Sequence, residues 1–311
     1  MAACNETTGS AVLESMNVHL IDGTYELFRH YYGAPGATDR GGREVGGMRG
    51  VLYSLLTMLD AGATHMAVAT DHVIESFRNR MWPGYKTGAG IDPLLLAQFG
   101  PLEDGLRAMG VQVWPMEELE ADDGLASGAA LAARDPRVEC IYLCTPDKDL
   151  AQCVRGDRIV QWDRRQGEVR DADGVVSKFG VPPRSIPDYL ALVGDSADGF
   201  PGVPGWGAKS TAAVLSRYRH LEDIPARARD WDVTVRGAAR LAAALREHRA
   251  NAFLFRDLAT LRDGAALFDN VDELEWHGPT RAFAKFAGDL GAPGLHERAN
   301  RIHQKLQSLT V

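Results

Sequence analysis

The stretch VECIYLCTPDKDL, residues 138–150, sets an apolar, β-favouring run directly before a proline turn that carries two aspartates. Val138–Cys144 reads as a strand, with Asp147 and Asp149 just beyond its carboxyl end. The same arrangement recurs on either side. NVHLI (17–21) runs into Asp22, and HMAVAT (65–70) runs into Asp71. VQVW (111–114) leads through residues 115–119 to Glu120-Ala121-Asp122-Asp123, and RIVQW (158–162) is a fifth strand candidate. Helical patterns lie between them at 51–61, 102–109 and 122–133. Strands alternating with helices imply right-handed crossovers and an α/β fold with a doubly wound, mostly parallel sheet. In such a sheet the carboxyl ends of the strands share one edge, where open α/β folds bind ligands.

Beyond this core the sequence sets limits. A chain of 311 residues, 45% hydrophobic and 24% charged, is ordinary for a globular protein and large enough for one sizeable core or two smaller ones. No apolar run approaches the ~20 residues of a membrane span. Residues 1–16 read as a disordered lead-in, with no basic and apolar signal-peptide pattern. Cys4, Cys140, Cys144 and Cys153 form no CxxC pair and read as reduced thiols of a cytoplasmic protein, without membrane association. Three prolines within 181–187 (VPPRSIP) mark a boundary, after which Ala-rich patterns such as 238–249 are helical. The expected division is an α/β domain over 17–184 and a helical region over 185–311.

A net charge of −8 argues at first against a nucleic-acid partner. Nine acids, however, fall in a few short motifs: Asp22, Asp71, Glu120, Asp122, Asp123, Asp147, Asp149, Asp195 and Asp198. Without them the net charge is +1. One aspartate after one strand is more often a turn or helix cap. Four such occurrences on one sheet edge reverse that weighting. Carboxylates held together do not all ionise without cations, and oxygen-only donors favour hard ions such as Mg²⁺ or Mn²⁺. Two ions about 4 Å apart stabilise both the attacking and the leaving oxygen in phosphoryl chemistry.

The second motif is GVPGWGAKST (202–211), a glycine-rich turn opening into a helix. Glycines allow close backbone approach to a phosphate, and a helix N-terminus offers free amides. A Walker A reading fails because Ala208 stands where lysine is required and no strand precedes it. A plain helix cap and turn is the bland alternative. A helix-hairpin-helix gripping a DNA backbone without reading sequence is the sharper one.

Taken together, LIDGTYELFR (20–29), ATDHVIESFR (69–78), LEADDGLAS (119–127), TPDKDL (145–150) and LVGDSADGFPGVPGWGAKSTA (192–212) resemble the bacterial 5′-nuclease family, which comprises flap endonucleases and the 5′-nuclease domain of DNA polymerase I. The resemblance spans residues 18–217 and looks like that of a stand-alone member. It implies a PIN-like nuclease fold with a helix-hairpin-helix, and 5′-3′ exonuclease and flap endonuclease activity in replication or repair. Asp22, Asp71, Glu120 and Asp122 match acids around a first divalent ion. Asp147, Asp149 and Asp198 match ligands of a second, and Asp123 and Asp195 match further acids acting directly or through water. Arg78 and Lys86 match basic residues that reach the scissile phosphate, or else they are solvated charges. Phe28 matches an aromatic that stacks on a base, or else it is core. Gly202, Gly205, Gly207, Lys209 and Ser210 match the DNA-gripping hairpin. The segment 76–100 matches a gateway for the 5′ strand. Potassium at the hairpin, with Ser196 and nearby carbonyls as ligands, is also implied. The implied partners are DNA with 5′ flaps, nicks or ends, and RNA–DNA hybrids, bound by a monomer. The chain departs from the family at Gly199, where asparagine is usual, and at Ser196 and Ala197, so a looser loop is expected there.

Other classes fit less of the sequence. A covalent aspartate phosphatase explains Asp147-Lys148-Asp149 but leaves the Glu120–Asp123 group and the hairpin unused. A DNA-binding protein without catalysis would have lost some of the acids. A small toxin-type ribonuclease would be shorter and lack the hairpin.

Overall fold

The computed structural model describes residues 16–33 and 35–309. The expected lead-in over 1–16, Cys4 included, lies outside these residues except for Met16, which opens the first strand. Strands β1 (Met16–Asp22), β2 (His65–Asp71), β3 (Gln112–Met116), β4 (Val138–Cys144), β5 (Ile159–Asp163) and β6 (Glu168–Arg170) form one sheet in the order β3-β2-β1-β4-β5-β6. The first five strands pair in parallel and β6 pairs antiparallel with β5. The sequence reading missed β6. It is a three-residue edge strand made by a hairpin, in which Asp163 Oδ1 accepts the amides of Arg165 and Gln166 and Gly167 takes φ +69°. Without helical or alternating length it leaves no pattern to detect.

The helices are α1 (Gly23–Gly33), α2 (Gly46–Asp60), α3 (Phe77–Met81), α4 (Pro93–Leu96), α5 (Phe99–Ala108), α6 (Ala121–Ala132) and α7 (Ala172–Phe179) in the first part of the chain. Then follow α8 (Ile186–Val193), α9 (Ala208–Tyr218), α10 (Ala238–Glu247), α11 (Arg249–Ala259), α12 (Phe283–Asp289) and α13 (Gly294–Leu309). The single run read at 238–249 is the whole of α10 and the start of α11, separated at His248 (φ −101°, ψ 23°). Among the described residues no helix is long and apolar enough to cross a membrane.

The sheet is covered on both faces. Ile21, Val68 and Val113 pack against Leu52, Leu55, Leu56 and Leu102 of α2 and α5. Leu20, Ala69 and Leu143 pack against Leu125 and Ala129 of α6. Alternate residues of β1 thus serve opposite layers, each fully buried aliphatic side chain contributing about 1.5–3 kcal/mol. A third core, built from Leu190, Val203, Trp206, Leu215, Leu241 and Phe255, holds α8–α11 together. The expected helical region over 185–311 needs correction. Trp276, Phe283, Leu290, Leu295 and Ile302 belong to the core under α2 and α5, so α12 and α13 complete the α/β layer. Their apolar stripes match a face of that layer which would otherwise be exposed. Cys140, Cys144 and Cys153 are free thiols, and burial pushes the Cys144 thiol up to about 12.

Candidate metal centre

Each acid reaches the site by an identifiable local device. Asp22 ends β1, where its carboxylate accepts the Tyr25 amide (2.8 Å) and the Thr145 hydroxyl (3.0 Å). Asp71 ends β2 and accepts the Ala121 amide at 2.7 Å, tying β2 to the first turn of α6. Glu120 and Asp122 flank the start of that helix. Asp147 follows β4, and its Oδ1 accepts the Asp149 amide at 2.9 Å. Asp195 and Asp198 lie on a tight turn, where Asp195 exchanges backbone hydrogen bonds with Phe200 (2.8 and 3.0 Å). The carboxylate oxygens of Asp149, Asp195 and Asp198 come within 4.8 Å of one another.

The electrostatics are those of crowded, dehydrated anions. Burial, followed by Asp71 and Asp147, pushes Asp22 up to about 7. Burial and then Asp147 and Asp22 push Asp122 well above the usual carboxylate range. Burial, Asp147 and Asp198 do the same to Asp149. Burial also raises Asp71 and Asp198, although Lys86 opposes it at both. Glu120 behaves oppositely: burial works against its charge, but Lys86, Arg78 and the Ser76 hydroxyl outweigh it and hold the carboxyl below its ordinary value. Asp149 Oδ1 is buried with no hydrogen-bond partner among the described residues. An orphaned carboxylate oxygen beside two other acids is the donor arrangement that a hard divalent cation satisfies. The residues present therefore fit such an ion.

Two assignments from the sequence change. Arg78 does not point at solvent; it is 1% exposed. Its guanidinium makes five hydrogen bonds: two to Asp123 (both 2.7 Å), one to Glu120 (3.1 Å), and one each to the carbonyls of Leu258 (2.8 Å) and Thr260 (3.2 Å). Asp123 is likewise used up. It also accepts the amides of Glu120 (3.0 Å) and Arg262 (2.8 Å). Its oxygens are spent on a bidentate ion pair, so it is no free metal ligand, and Arg78 has no donor left for a phosphate. The pair locks the start of α6 to the chain leaving α11.

Lys86 lies among the acids. Its ammonium lies 2.9 Å from Glu120 and 3.1 Å from Asp198 and is partly exposed. Burial opposes its charge, but Asp198 and Glu120 hold it well above the ordinary lysine value. The turn carrying Lys86 is docked on the acidic turn, with the Lys86 amide on the Asp198 carbonyl (3.0 Å) and Trp82 Nε1 on the Gly199 carbonyl (3.0 Å). This corrects the expectation of a looser loop. Gly199 takes φ +82°, and a Cβ there would sit 1.9 Å from the Gly84 carbonyl oxygen. Glycine thus permits the tighter packing of two turns. Gly199→Ala should cost roughly 1–3 kcal/mol of stability in a denaturant melt and lower turnover by displacing Lys86; unchanged melting and turnover would refute the packing role.

The hairpin glycines divide. Gly202 is buried, with φ +71° and no room for a Cβ against Gly194 and Leu192. It serves the fold of the hairpin, contrary to its grouping with DNA contacts. Gly205 and Gly207 are exposed, and a Cβ at Gly207 would meet nothing within 4 Å. Gly207 caps α9, whose first turn Ser210 steadies by accepting the Gly207 amide (3.2 Å) and donating to its carbonyl (2.9 Å). Lys209 is exposed beside it. Phe28 is half-buried, edge-on to Phe99 at 6.4 Å, in a groove of about 700 Å³ shared with Tyr25, Arg29, Tyr32 and Arg165. Ser196 is exposed on the turn between Asp195 and Asp198.

Several residues that support the site went unread. Tyr85 OH (3.2 Å) and Ser76 Oγ (2.7 Å) donate to Glu120, and Thr145 donates to Asp22. Lys148 pairs with Asp195 at 2.5 Å. Burial works against its ammonium, but Asp149 and Asp195 keep it charged. The signal available was adjacency: Thr145 and Lys148 lie within the TPDKDL motif itself.

The sequence matches the 5′-3′ exonuclease N-terminal resolvase-like domain over residues 17–180 and the 5′-3′ exonuclease C-terminal SAM fold over residues 181–282. It is 35% identical over 272 residues to DNA polymerase I of Pseudomonas aeruginosa, covering 84% of this chain and 29% of the polymerase. It is 32% identical over 278 residues to DNA polymerase I of Mycobacterium bovis, covering 86% and 30%. The chain thus spans less than a third of the length of these relatives. Its fold is shared with the bacteriophage T5 flap endonuclease in complex with DNA and metal ions (TM-score 0.63, 16% identity, 93% of this chain and 98% of that one). The catalytic core of Rad2 with DNA substrate is similar (TM-score 0.61, 16% identity, 94% of each). With a mostly parallel six-stranded sheet that carries acids at its strand ends, a helical region after it, and both family domains matched in order, the chain belongs to the 5′-3′ exonuclease family.

Proposed function

We propose that this chain hydrolyses phosphodiester bonds near DNA 5′ ends, as a structure-specific 5′-3′ exonuclease and flap endonuclease in replication or repair. The observation that carries this reading is the convergence of Asp149, Asp195 and Asp198, with one oxygen of Asp149 buried and unpaired. Bound there and at Asp22, Asp71, Glu120, Asp122 and Asp147, Mg²⁺ or Mn²⁺ ions supply the Lewis acidity that activates water and stabilises the departing 3′ oxygen. Lys86 supplies positive charge where the phosphate gathers negative charge in the transition state. Phe28 offers its ring face to a base in the groove beside α1. Residues 17–184 carry all of these acids except Asp195 and Asp198, the segment 76–100 admits the 5′ strand, and the helices from residue 185 to α11 grip duplex. Potassium at the hairpin carbonyls, near Ser196, completes the proposed ion set. The proposed partners are DNA with flaps, nicks or ends and RNA–DNA hybrids, bound by a cytoplasmic monomer. End-labelled flap, nicked and blunt duplexes, each with Mg²⁺ or Mn²⁺, test the reading against a simple phosphoester. Tight binding without metal-dependent cleavage of any of them would instead indicate a DNA-binding protein.

The hairpin reading makes a separable prediction. Because a Cβ at Gly207 meets no protein atom, a larger side chain there should leave folding intact and yet block a phosphate. Gly207→Val and Lys209→Ala should weaken binding to flaps with a duplex arm, and Lys209→Ala should lower the log–log salt slope by roughly one unit. Cleavage of a short single strand should change little. Equal losses on both substrates would assign the hairpin to the reaction centre itself.

A further inference from the structure

The two oxygens of Asp195 have different partners. Oδ1 accepts the Ala197 amide at 3.0 Å, within its own turn. Oδ2 is buried, accepts no hydrogen bond among the described residues, and lies 2.5 Å from the ammonium of Lys148 as an ion pair. Lys148 stands between Asp147 and Asp149 in sequence, on the turn after β4, so its side chain spans from that turn to the one that holds Asp195 and Asp198. Three acids this close repel one another strongly in a dehydrated setting. The ammonium relieves that repulsion in the metal-free chain. Unlike Arg78, which is sealed in, Lys148 keeps 35% of its side chain exposed. It can move from Asp195 into water once a cation takes its place beside that buried carboxylate. A divalent ion seated among Asp149, Asp195 and Asp198 and the Lys148 ammonium would both seek Asp195.

We propose that Lys148 is an internal counter-ion of this acid group, which competes with the divalent cation for Asp195 and is displaced when the cation binds. The proposal rests on the reading that Asp149, Asp195 and Asp198 hold an ion. It assigns Lys148 a part in setting metal affinity, separate from that of Lys86, whose ammonium bridges two acids and whose backbone amide is anchored on Asp198.

Calorimetric titration of the full chain with Mn²⁺, without DNA and at fixed ionic strength, tests this. Lys148→Gln should bind Mn²⁺ roughly tenfold more tightly. Lys148→Arg, which keeps the charge, should stay within about twofold of wild type. Lys305→Gln makes the same change of net charge far away, at an exposed pair with Asp60, and should bind as wild type does. Lys148→Met provides a second neutral side chain should glutamine disturb the fold, as checked by thermal melting. Unchanged or weaker Mn²⁺ binding by the neutral variants overturns the proposal. Asp195→Asn separates the two levels. If it weakens Mn²⁺ binding while the neutral Lys148 variants do not strengthen it, only the counter-ion role fails. If Asp195→Asn leaves Mn²⁺ binding unchanged, the metal reading of these acids fails with it.

Discussion

Asp149→Asn should abolish cleavage of a flap substrate while making the metal-free protein more stable. The two effects share one cause. Asp149 is buried beside Asp147 and Asp198, and its Oδ1 has no partner. Loss of outer-shell metal partners commonly costs about 10–100-fold in affinity or activity, so loss of a direct ligand should exceed about 100-fold in turnover. The same carboxylate is a liability when no cation is bound, because its charge is dehydrated and repelled by neighbours. Folded wild type therefore holds protons that the unfolded chain releases, over a window running from 3.8, the ordinary aspartate value, to about 7 at Asp22. More protons bound in the folded state means that stability of the metal-free protein rises as pH falls through that window. In Asp149→Asn this pH dependence should shrink, the melting temperature near neutral pH should rise, and the stabilisation of wild type by Mg²⁺ should be reduced. DNA binding through the hairpin should persist. Near-normal cleavage at saturating metal, or a lower melting temperature at neutral pH, would count against the assignment.

Arg78→Met should destabilise the fold by about 3–5 kcal/mol, the usual cost of removing one partner of a buried ion pair. The loss arises from Asp123, which is fully buried and would lose its counter-ion. The Leu258 and Thr260 carbonyls would also lose their donor. The double variant Arg78→Met/Asp123→Leu should regain most of that stability, since both charges are then gone and the space is filled by apolar atoms. A denaturant double-mutant cycle measures the coupling. The alternative drawn from sequence, that Arg78 meets the scissile phosphate, has the opposite signature: intact stability, intact DNA affinity and a lower single-turnover rate. The cycle and the rate together separate an internal clamp from a catalytic group.

Much of the architecture was legible because parallel α/β folds write themselves in periodicity. Apolar runs of strand length, each followed by an acid, marked β1, β2 and β4 and the sheet edge that carries the acids. Glu120 and Asp122 do stand at the start of a helix after β3, as their spacing implied, and Gly207 does open α9. The sequence also announced a change of character at 181–187. It did not announce that the chain returns to the first core at Trp276, because the stripes of α12 and α13 record only that some apolar face is buried, not whose.

The sequence by itself determined which groups stand where along the chain: carboxylates at strand ends and a glycine-rich entry to α9. Residue type and local spacing suffice for that, since strand ends and helix starts place side chains by backbone geometry alone. Only the tertiary structure decided how those groups divide their work. Arg78 and Asp123 carry the charges expected of an active site, yet they face each other across 45 residues and neutralise one another. Gly199 looked like a loosened loop until Gly84 filled the space above it. Lys148 drew no role from the sequence, and only the fold brought Asp195 to it. Each of these outcomes depends on which oxygen or nitrogen a distant segment supplies, and in a dehydrated interior that partner sets whether a charge is spent on the fold or left for a ligand.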